Sequence, residues 1–301
     1  MRAVVTGGAG FVGSHVVDAL VFGGDEVFVV DNLATGKREN LNERAQLHVH
    51  DIREPLDVLF EELRPEAVFH LAAQADLRAA VERPHEDADI NVLGTVRVLE
   101  AARQHGAQIV FSSTGGAIYG ECDGPAPETA PLRPVSPYGV SKLSGEEYLR
   151  AYNRLHGTIH VVLRIGNVYG PRQDPHGEAG VVAIFLGALA EGTQARIFGD
   201  GSQTRDYVYV GDVARAMVSA IGQEGGVFNV GTGQETSVLE LYEQCRRVAG
   251  SDAEPEMAPA RLGELRRSVL DPTLAAEQLR FMPMVGLEDG LAATWEWVRK
   301  E

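Results

Sequence analysis

The chain has 301 residues, enough for one large domain or two smaller ones, and its composition is ordinary for a globular protein. With 27 basic and 43 acidic residues the net charge is −16, which argues against nucleic acid or an anionic membrane surface as a partner. The two cysteines, Cys122 and Cys245, show neither a disulfide framework nor metal-ligand spacing, which fits a reducing cytoplasm. The longest apolar stretch, residues 181–190, is too short to span a bilayer and predicts a buried helix.

The N-terminal half alternates short apolar runs with longer helical patterns. Strands are predicted at 3–6, 27–31, 47–50, 67–71, 109–112 and 159–164, and helices at 11–22, 55–63, 84–104 and 136–155. This alternation is typical of a parallel sheet covered by helices on both faces. Beyond Gly170 the rhythm breaks into short elements and Pro/Gly-rich loops at 171–177 and 253–263.

A glycine-rich turn follows the first predicted strand and opens the first helix. Its glycines Gly7, Gly10 and Gly13 allow a tight turn and a close approach of backbone N–H groups to a pyrophosphate. The spacing Gly-x2-Gly-x2-Gly is one residue wider than Gly-x-Gly-x2-Gly. The order of strand, turn and helix therefore predicts a dinucleotide site and a Rossmann-type, doubly wound fold.

Asp31 ends the second predicted strand, where a carboxylate can accept hydrogen bonds from the adenosine ribose. Such a carboxylate repels a 2′-phosphate, so NAD is favoured over NADP, although Lys37 and Arg38 lie nearby. Asp51, after the third strand, is a candidate contact for the adenine amino group or a loop-capping residue.

We expect an NAD-binding domain over 1–166, to which segments around 205–232 return. The remainder of 167–301 should form a smaller substrate-binding portion that caps the carboxyl edge of the sheet, where open α/β sheets bind ligands.

Tyr138 and Lys142 are spaced four residues apart within a predicted helix, so both side chains lie on one face. A neighbouring ammonium favours phenolate over phenol. Moving the pKa of a tyrosine from about 10 to near 7 takes roughly 4 kcal/mol of differential stabilisation. The pair therefore predicts a general base that removes the proton of a hydroxyl group.

With these motifs the chain resembles the extended short-chain dehydrogenase/reductase family, and within it the NAD-dependent nucleotide-sugar epimerases, over nearly its whole length. The landmarks are Thr6-Gly-Gly-Ala-Gly-Phe-Val-Gly13, Asp31-Asn-Leu33, His70-Leu-Ala-Ala-Gln74, Ser112-Ser-Thr114, Tyr119-Gly120, Ser136-Pro-Tyr138-x3-Lys142, Arg164-x2-Asn167-x-Tyr169-Gly-Pro-Arg172, Arg205-Asp-Tyr207 and Arg261-x-Gly-Glu264.

The resemblance implies a reaction in which hydride leaves C4 of a UDP-sugar for NAD and returns to the other face, with UDP-glucose and UDP-galactose as the leading pair. It implies Tyr138 as base, Lys142 as its partner and Thr114, or failing that Ser113, as ligand of the sugar 4-hydroxyl. The cofactor residues predicted from motif and resemblance together are Gly7, Gly10, Phe11, Val12, Gly13, Asp31, Asn32, Asp51, Ile52, Ala72, Gln74, Asn91, Tyr138 and Lys142. For Asn91, a structural role within its helix is the alternative.

At the far end of the substrate, the resemblance assigns Arg205 and Arg261 to the diphosphate, and guanidinium groups suit phosphate geometry. It adds Asn167 at the same phosphates and Glu264 at the nucleotide ribose. Counting seven residues beyond Arg261 reaches Ser268, where a small side chain suggests room for an N-acetyl group.

Several alternatives remain open from the sequence. A 4,6-dehydratase, a 4-keto reductase and a UDP-glucuronate epimerase share the family, although Gly115 and Gly116 stand where dehydratases carry an acid pair. A non-catalytic dinucleotide sensor is an alternative function of another class.

The resemblance also implies a homodimer built from helices 84–104 and 136–155. The nine histidines form no metal-spaced cluster with acids, so no metal is expected. His70 is interpreted as structural and His176 as a candidate pocket residue.

Overall fold

The computed structural model describes residues 1–175, 180–260 and 265–300. The strands are β1 (Arg2–Thr6), β2 (Glu26–Asp31), β3 (Gln46–Val49), β4 (Ala67–His70), β5 (Gln108–Thr114), β6 (Val161–Ile165), β7 (Asn167–Tyr169), β8 (Arg196–Phe198), β9 (Thr204–Arg205), β10 (Tyr207–Tyr209), β11 (Gly226–Val230), β12 (Thr236–Ser237), β13 (Glu256–Ala258) and β14 (Arg267–Ser268). The helices are α1 (Phe11–Phe22), α2 (Asp57–Leu63), α3 (Leu77–Glu82), α4 (Pro84–Ala88), α5 (Thr95–Gln104), α6 (Gly115–Ile118), α7 (Pro137–His156), α8 (Val181–Glu191), α9 (Val210–Ser219), α10 (Val238–Ala249), α11 (Thr273–Gln278) and α12 (Leu287–Val298).

Seven parallel strands form the central sheet in the order β11-β6-β5-β4-β1-β2-β3. Their near-continuous apolar sequences suit burial on both faces, and β1 and β6 are buried over almost their whole length. The strand order reverses between β1 and β4, and at such a switch point the chain leaves the sheet in opposite directions and opens a crevice. The predicted doubly wound parallel sheet is confirmed.

Each face of the sheet carries its own apolar layer. On one face Val16 and Leu20 of α1 pack with Met217 of α9 and Ala275 of α11. On the other face, apolar side chains of α2, α5 and α7 cover the strands, including the fully buried Phe60. The sheet is therefore shielded on both sides, and its carboxyl edge is where ligands can approach.

A third apolar cluster joins α8, α10 and α12 beyond that edge. The rings of Phe185 and Tyr242 meet edge to face at its centre, with 5.0 Å between their centroids. Beside it lies a small three-stranded sheet in the order β12-β9-β14. Late segments also return to the main sheet, since β11 pairs with β6 and α9 packs on α1.

Three local features differ from the sequence pattern. The helix predicted over 84–104 is divided by a π-helical turn, Asp89–Gly94. The six-residue α3, capped by the Asp76 carboxylate, was not predicted because its pattern is too short to establish a period. The loop predicted over 253–263 contains β13, which forms because it pairs with β8.

Candidate active site

The first turn excludes a side chain at two of its glycines and leaves little room for one at a third. Gly7 has a φ of +70°, and a Cβ there would lie 2.6 Å from the amide nitrogen of Ala72, which follows β4. A Cβ on Gly13 would lie 2.1 Å from the Gly7 carbonyl oxygen. On Gly10 it would lie 3.2 Å from the same oxygen. Glycine thus lets the turn close tightly and lets β1 and β4 end side by side at the switch point.

The start of α1 is open to an anionic ligand. Its N-cap residue, Gly10, provides no side-chain cap, and the first turn, which contains Phe11 and Val12, has no acidic residue. The N–H groups of a first helical turn have no partner within the helix and carry the positive end of its dipole. This geometry suits the pyrophosphate of a dinucleotide.

Asp31 joins the second strand to the glycine turn. One carboxylate oxygen accepts the N–H of Ala9 at 2.9 Å, and the other accepts the N–H of Leu33 at 2.8 Å. Each carboxylate oxygen can accept a further hydrogen bond. Gly36 lies against this carboxylate, and a Cβ there would approach both oxygens to within about 3.0 Å. Asp31 is thus oriented by the turn and retains acceptor capacity for ribose hydroxyls.

Asp51 follows β3 and is engaged by its neighbours. Arg53 donates to its carboxylate from the backbone and the guanidinium, and Asn32 Nδ2 donates at 2.9 Å. The Arg53 guanidinium holds the pKa of Asp51 well below its usual range. Ile52 is buried, and a Cβ on Gly94 of the π turn would lie 2.7 Å from its Cδ1. Asn32, Asp51 and Ile52 therefore lie together beyond the ends of β2 and β3, where the Asp51 carboxylate is paired with Arg53.

Asn91 lies beneath the loop that follows β4. Its side-chain amide accepts the N–H of Gln74 at 2.8 Å and donates to the carbonyl oxygen of the same residue at 2.8 Å. Nδ2 also lies 3.0 Å from the Asp87 carboxylate and 3.2 Å from Ser141 Oγ on α7. With 2% of its surface exposed, Asn91 does not face the open crevice. Its hydrogen bonds tie the loop that carries Gln74 to α7, the helix of Tyr138 and Lys142.

His70, at the end of β4, is structural. Thr95 Oγ1 donates to the carbonyl oxygen of Asn91, so it must accept from His70 Nε2–H, 3.0 Å away. Nδ1 is then the acceptor, and it accepts a hydrogen bond from the Thr6 hydroxyl group, with 2.7 Å between Oγ1 and Nδ1. Full burial lowers the pKa of His70 to about 3, which agrees with a neutral ring that connects β1, β4 and α5.

The predicted catalytic pair, Tyr138 and Lys142, lies in the first turns of α7. Ser136 caps the helix through its hydroxyl, which accepts the N–H of Gly139 at 3.1 Å, and Pro137 takes the first helical position. Tyr138 follows and is half-buried. Lys142 comes one helical turn later on the same face.

The Lys142 ammonium is held under the sheet edge. Nζ donates to the carbonyl oxygen of Ser112 at 2.9 Å and lies 4.9 Å from the ring centroid of Phe111. Burial lowers the pKa of Lys142 to about 8, and the carboxylates of Asp87 and Glu146 oppose that shift. The side chain thus stays largely protonated at neutral pH although only 4% of the residue is exposed.

Strand alternation separates the two candidate hydroxyls at the end of β5. Ser113 is buried, and its Oγ donates to Glu146 Oε1 at 2.5 Å. Thr114 is half-buried and adjoins α6 without capping it through its side chain. The alternative candidate Ser113 is therefore committed to the interior, and Thr114 is the hydroxyl on the side of the crevice.

Side chains from β5, β7 and β14 converge around Gly116. A Cβ placed there would lie 3.3 Å from Asn167 Oδ1, 3.9 Å from Ser268 Oγ and 3.9 Å from Thr114 Oγ1. The parallel pairing of β14 with β9 sets Ser268 beside Arg205. Thr114, Asn167, Ser268 and Arg205 thus share the region between the main sheet and the smaller portion.

Arg205 is half-buried and donates from Nη1 to the carbonyl oxygen of Thr204 at 2.8 Å. Arg261 and Glu264, the other residues predicted to contact the nucleotide, lie outside the described residues, as does His176.

A buried ionic network under the site was not predicted. Glu146 and Arg164 form an ion pair at 2.6 Å, with both side chains fully buried. Arg164 also donates to the Tyr119 hydroxyl at 2.9 Å, which donates in turn to Asn229 Oδ1 at 2.7 Å. The signal in the sequence was the arginine within the apolar strand run 161–165, because a charge there needs a buried partner.

Within 1–175, 180–260 and 265–300, no three His, Cys, Asp or Glu side chains are grouped so that they could hold a metal ion. Over the same ranges, no helix has both the length and the apolar character needed to cross a bilayer.

The sheet, the glycine turn and the Tyr138–Lys142 pair together define an enzyme of the Rossmann-type short-chain dehydrogenase class. The model of the NAD dependent epimerase/dehydratase family matches residues 3–231. The chain belongs to this family.

Known proteins of high similarity cover almost the whole chain. The UDP-glucose 4-epimerase of Mycolicibacterium smegmatis is 48% identical over 311 residues, covering 100% of this chain and 99% of the relative. A crystal structure of UDP-glucose 4-epimerase with UDP-glucose from Thermotoga maritima is 49% identical with a TM-score of 0.98, covering 100% and 99% of the two chains. The structure of the Thermus thermophilus UDP-glucose 4-epimerase complexed with NAD is 47% identical with a TM-score of 0.94, covering 99% of each.

Proposed function

We propose that this enzyme inverts C4 of a UDP-sugar, interconverting UDP-glucose and UDP-galactose, with NAD as its resident cofactor. The observation that carries the proposal is that Tyr138 and Lys142 share the first turns of α7, and that Lys142 donates to the carbonyl oxygen of Ser112 near the carboxyl end of β5, the strand that ends at Thr114. The similarity to epimerases solved with UDP-glucose and with NAD supports the choice of substrate and cofactor.

The described residues fit NAD. The turn excludes side chains at Gly7 and Gly13, the start of α1 is uncapped, and the Asp31 carboxylate faces the turn with acceptor capacity left. When bound, NAD accepts hydride from C4 and returns it, so the reaction has no net redox change. The carboxylate of Asp31 disfavours a 2′-phosphate and so favours NAD over NADP.

In this proposal Tyr138 removes the proton of the sugar 4-hydroxyl as hydride departs and restores it when hydride returns to the opposite face. The Lys142 ammonium stabilises the tyrosinate and contacts the nicotinamide ribose. Thr114 hydrogen-bonds the 4-hydroxyl, which fixes C4 for transfer. Exclusion of water protects the 4-keto sugar intermediate while it rotates in the pocket to present its other face.

Arg205 and Asn167 bind the diphosphate in this proposal, together with Arg261, while Glu264 contacts the nucleotide ribose. Charged donors suit phosphate because such hydrogen bonds are roughly twice as strong as neutral ones. Ser268 is a small residue beside Gly116, which supports access for UDP-N-acetylglucosamine as well. Failure to convert that sugar by an enzyme active on UDP-galactose would contradict this last point.

We further propose that residues 1–166 and 205–232 bind NAD and that the rest of 167–301 binds the nucleotide sugar.

The protein should act as a cytoplasmic homodimer in which the segments 84–104 and 136–155 of the two subunits pack together. Those segments expose large apolar side chains, including Leu93 at 50%, Val140 at 51% and Leu155 at 76%. Sedimentation equilibrium tests the dimer, and a monomer at micromolar concentration would contradict it.

The experiment that tests the function is incubation of the purified protein with UDP-galactose without added NAD, followed by chromatography of the nucleotide sugars. The expected product is UDP-glucose with no net formation of reduced cofactor. Tyr138→Phe should abolish turnover while NAD binding persists, which separates an enzyme from a dinucleotide sensor. Stoichiometric consumption of reduced cofactor, or a stable 4-keto-6-deoxy product, would instead indicate a reductase or a dehydratase.

A further inference from the structure

Gly116 has no backbone reason to be glycine. It lies inside α6, and its φ is not among the positive values that favour glycine. Alanine is the most favourable helical residue and glycine among the least, so the local structure alone would prefer a side chain here.

Gly116 also lacks the packing reason that its neighbour has. A Cβ on Gly115 would lie 2.6 Å from the Leu270 side chain, which belongs to an apolar cluster with Ile118. The three heavy atoms nearest to a Cβ on Gly116 are polar ones, on Asn167, Ser268 and Thr114, at 3.3–3.9 Å. Gly115 is therefore required by the core, whereas the space at Gly116 adjoins polar groups that come from three different elements.

We propose that Gly116 is a specificity-determining residue whose missing side chain leaves the room in which the sugar ring lies against Thr114, Asn167 and Ser268. This inference rests on the proposed function, because it takes those three residues as the surroundings of the sugar. The ring must present both faces of C4 during epimerisation, so it needs more space than one fixed orientation. A methyl group at residue 116 removes part of that space, and the Asn167 atom nearest to it is the acceptor Oδ1 rather than the amide nitrogen that would donate to the diphosphate.

The test compares the affinities for UDP and for UDP-glucose of the NAD-loaded enzyme and its Gly116→Ala variant, by calorimetry. The expected result is an unchanged affinity for UDP, to within about twofold, and an affinity for UDP-glucose reduced about tenfold or more. The melting temperature should stay the same or rise, because alanine favours the helix. Gly124→Ala is the matched control, since a Cβ there meets nothing within 4 Å.

Gly115→Ala should show the pattern of a purely structural glycine, which is a lowered melting temperature with the affinities for UDP and UDP-glucose affected alike. The same pattern in Gly116→Ala, or an unchanged affinity for UDP-glucose, would overturn the proposal. Binding is measured without turnover, so the two hypotheses can fail separately. A wild-type enzyme that binds UDP-glucose without converting it would refute the epimerase function. The role of Gly116 would still be decided by the comparison of the affinities for UDP and UDP-glucose.

Discussion

Glu146 lies one helical turn beyond Lys142 and forms a fully buried ion pair with Arg164. The same carboxylate accepts the hydroxyl of Ser113, the residue between the carbonyl that holds Lys142 and the candidate sugar ligand Thr114. One side chain therefore fixes the distance between α7 and the end of β5. Its negative charge also favours the protonated form of Lys142.

Glu146→Gln should shift the pH profile of kcat. The neutral amide withdraws a charge that supports the Lys142 ammonium, so the pKa of Lys142 falls further below its present value of about 8. The alkaline decline in kcat should therefore begin at a lower pH. Of the other titratable groups near Lys142, Asp87 remains as a carboxylate and His70 is neutral. Leaving Arg164 without its anion should also destabilise the fold by about 3–5 kcal/mol.

Ser113→Ala is the matched control for that charge effect. It removes one hydrogen bond to Glu146, which should lower the free energy of unfolding by about 1–3 kcal/mol and reduce kcat through looser placement of Thr114. Because the carboxylate stays charged, the pH profile should keep its position. Identical alkaline limbs for the two variants, measured by initial rates from pH 6 to pH 10, would show that Glu146 acts by packing alone.

Gly13→Ala should release the cofactor. A Cβ there would lie 2.1 Å from the Gly7 carbonyl oxygen, so the turn must open and its amides move away from the pyrophosphate. We expect the affinity for NAD to fall about tenfold or more, that is by at least about 1.4 kcal/mol. Fluorescence titration of the cofactor-free protein measures this, with Gly124→Ala as control. Unaltered NAD affinity would mean that the dinucleotide is bound elsewhere.

Asp31→Asn should weaken discrimination between NAD and NADP. The amide has a single oxygen, so it cannot accept the N–H groups of both Ala9 and Leu33 as the carboxylate does. It also removes the charge that repels a 2′-phosphate. The ratio of the two dissociation constants should move toward NADP by about tenfold, and an unchanged ratio would assign the selectivity to Lys37 and its partner Asp174.

Stability should fall in acid because of His160 as well as His70. Burial lowers the pKa of His160 to about 4, and its Nδ1 accepts the N–H of Ile109 at 3.0 Å. The pKa of histidine in the unfolded chain is about 6.5, so below that pH the unfolded chain binds a proton that the folded chain does not bind. The free energy of unfolding therefore falls as the pH is lowered toward 4. Each such histidine contributes up to about 1.4 kcal/mol per pH unit.

Thermal unfolding at pH values from 4 to 8 measures this dependence. His160→Gln keeps an acceptor for the Ile109 amide but does not titrate, so its melting temperature should vary less with pH than that of the wild type. Parallel curves for the two proteins would exclude His160 as a source of the acid sensitivity.

The sequence predicts those elements that depend on neighbours along the chain. The glycine turn and the Tyr138–Lys142 pair are local patterns, so their helices and strands could be predicted from spacing. The pairing of Glu146 with Arg164 could not, because it depends on how α7 settles against β6. The hydrogen-bond partners of Asn91 could not be predicted for a related reason. They depend on a π turn, which the helical pattern of the sequence does not indicate.

That π turn, Asp89–Gly94, holds one more residue than an α-helical path of the same rise would use. It changes the phase of the helix, so Asn91 can point under the loop at Gln74 while Val98 and Leu99, further along, point into the apolar layer. If the same residues followed an unbroken α-helix, one of these faces would be rotated by about 100° relative to the other. The active site thus depends on the number of residues in this segment as well as on their identity.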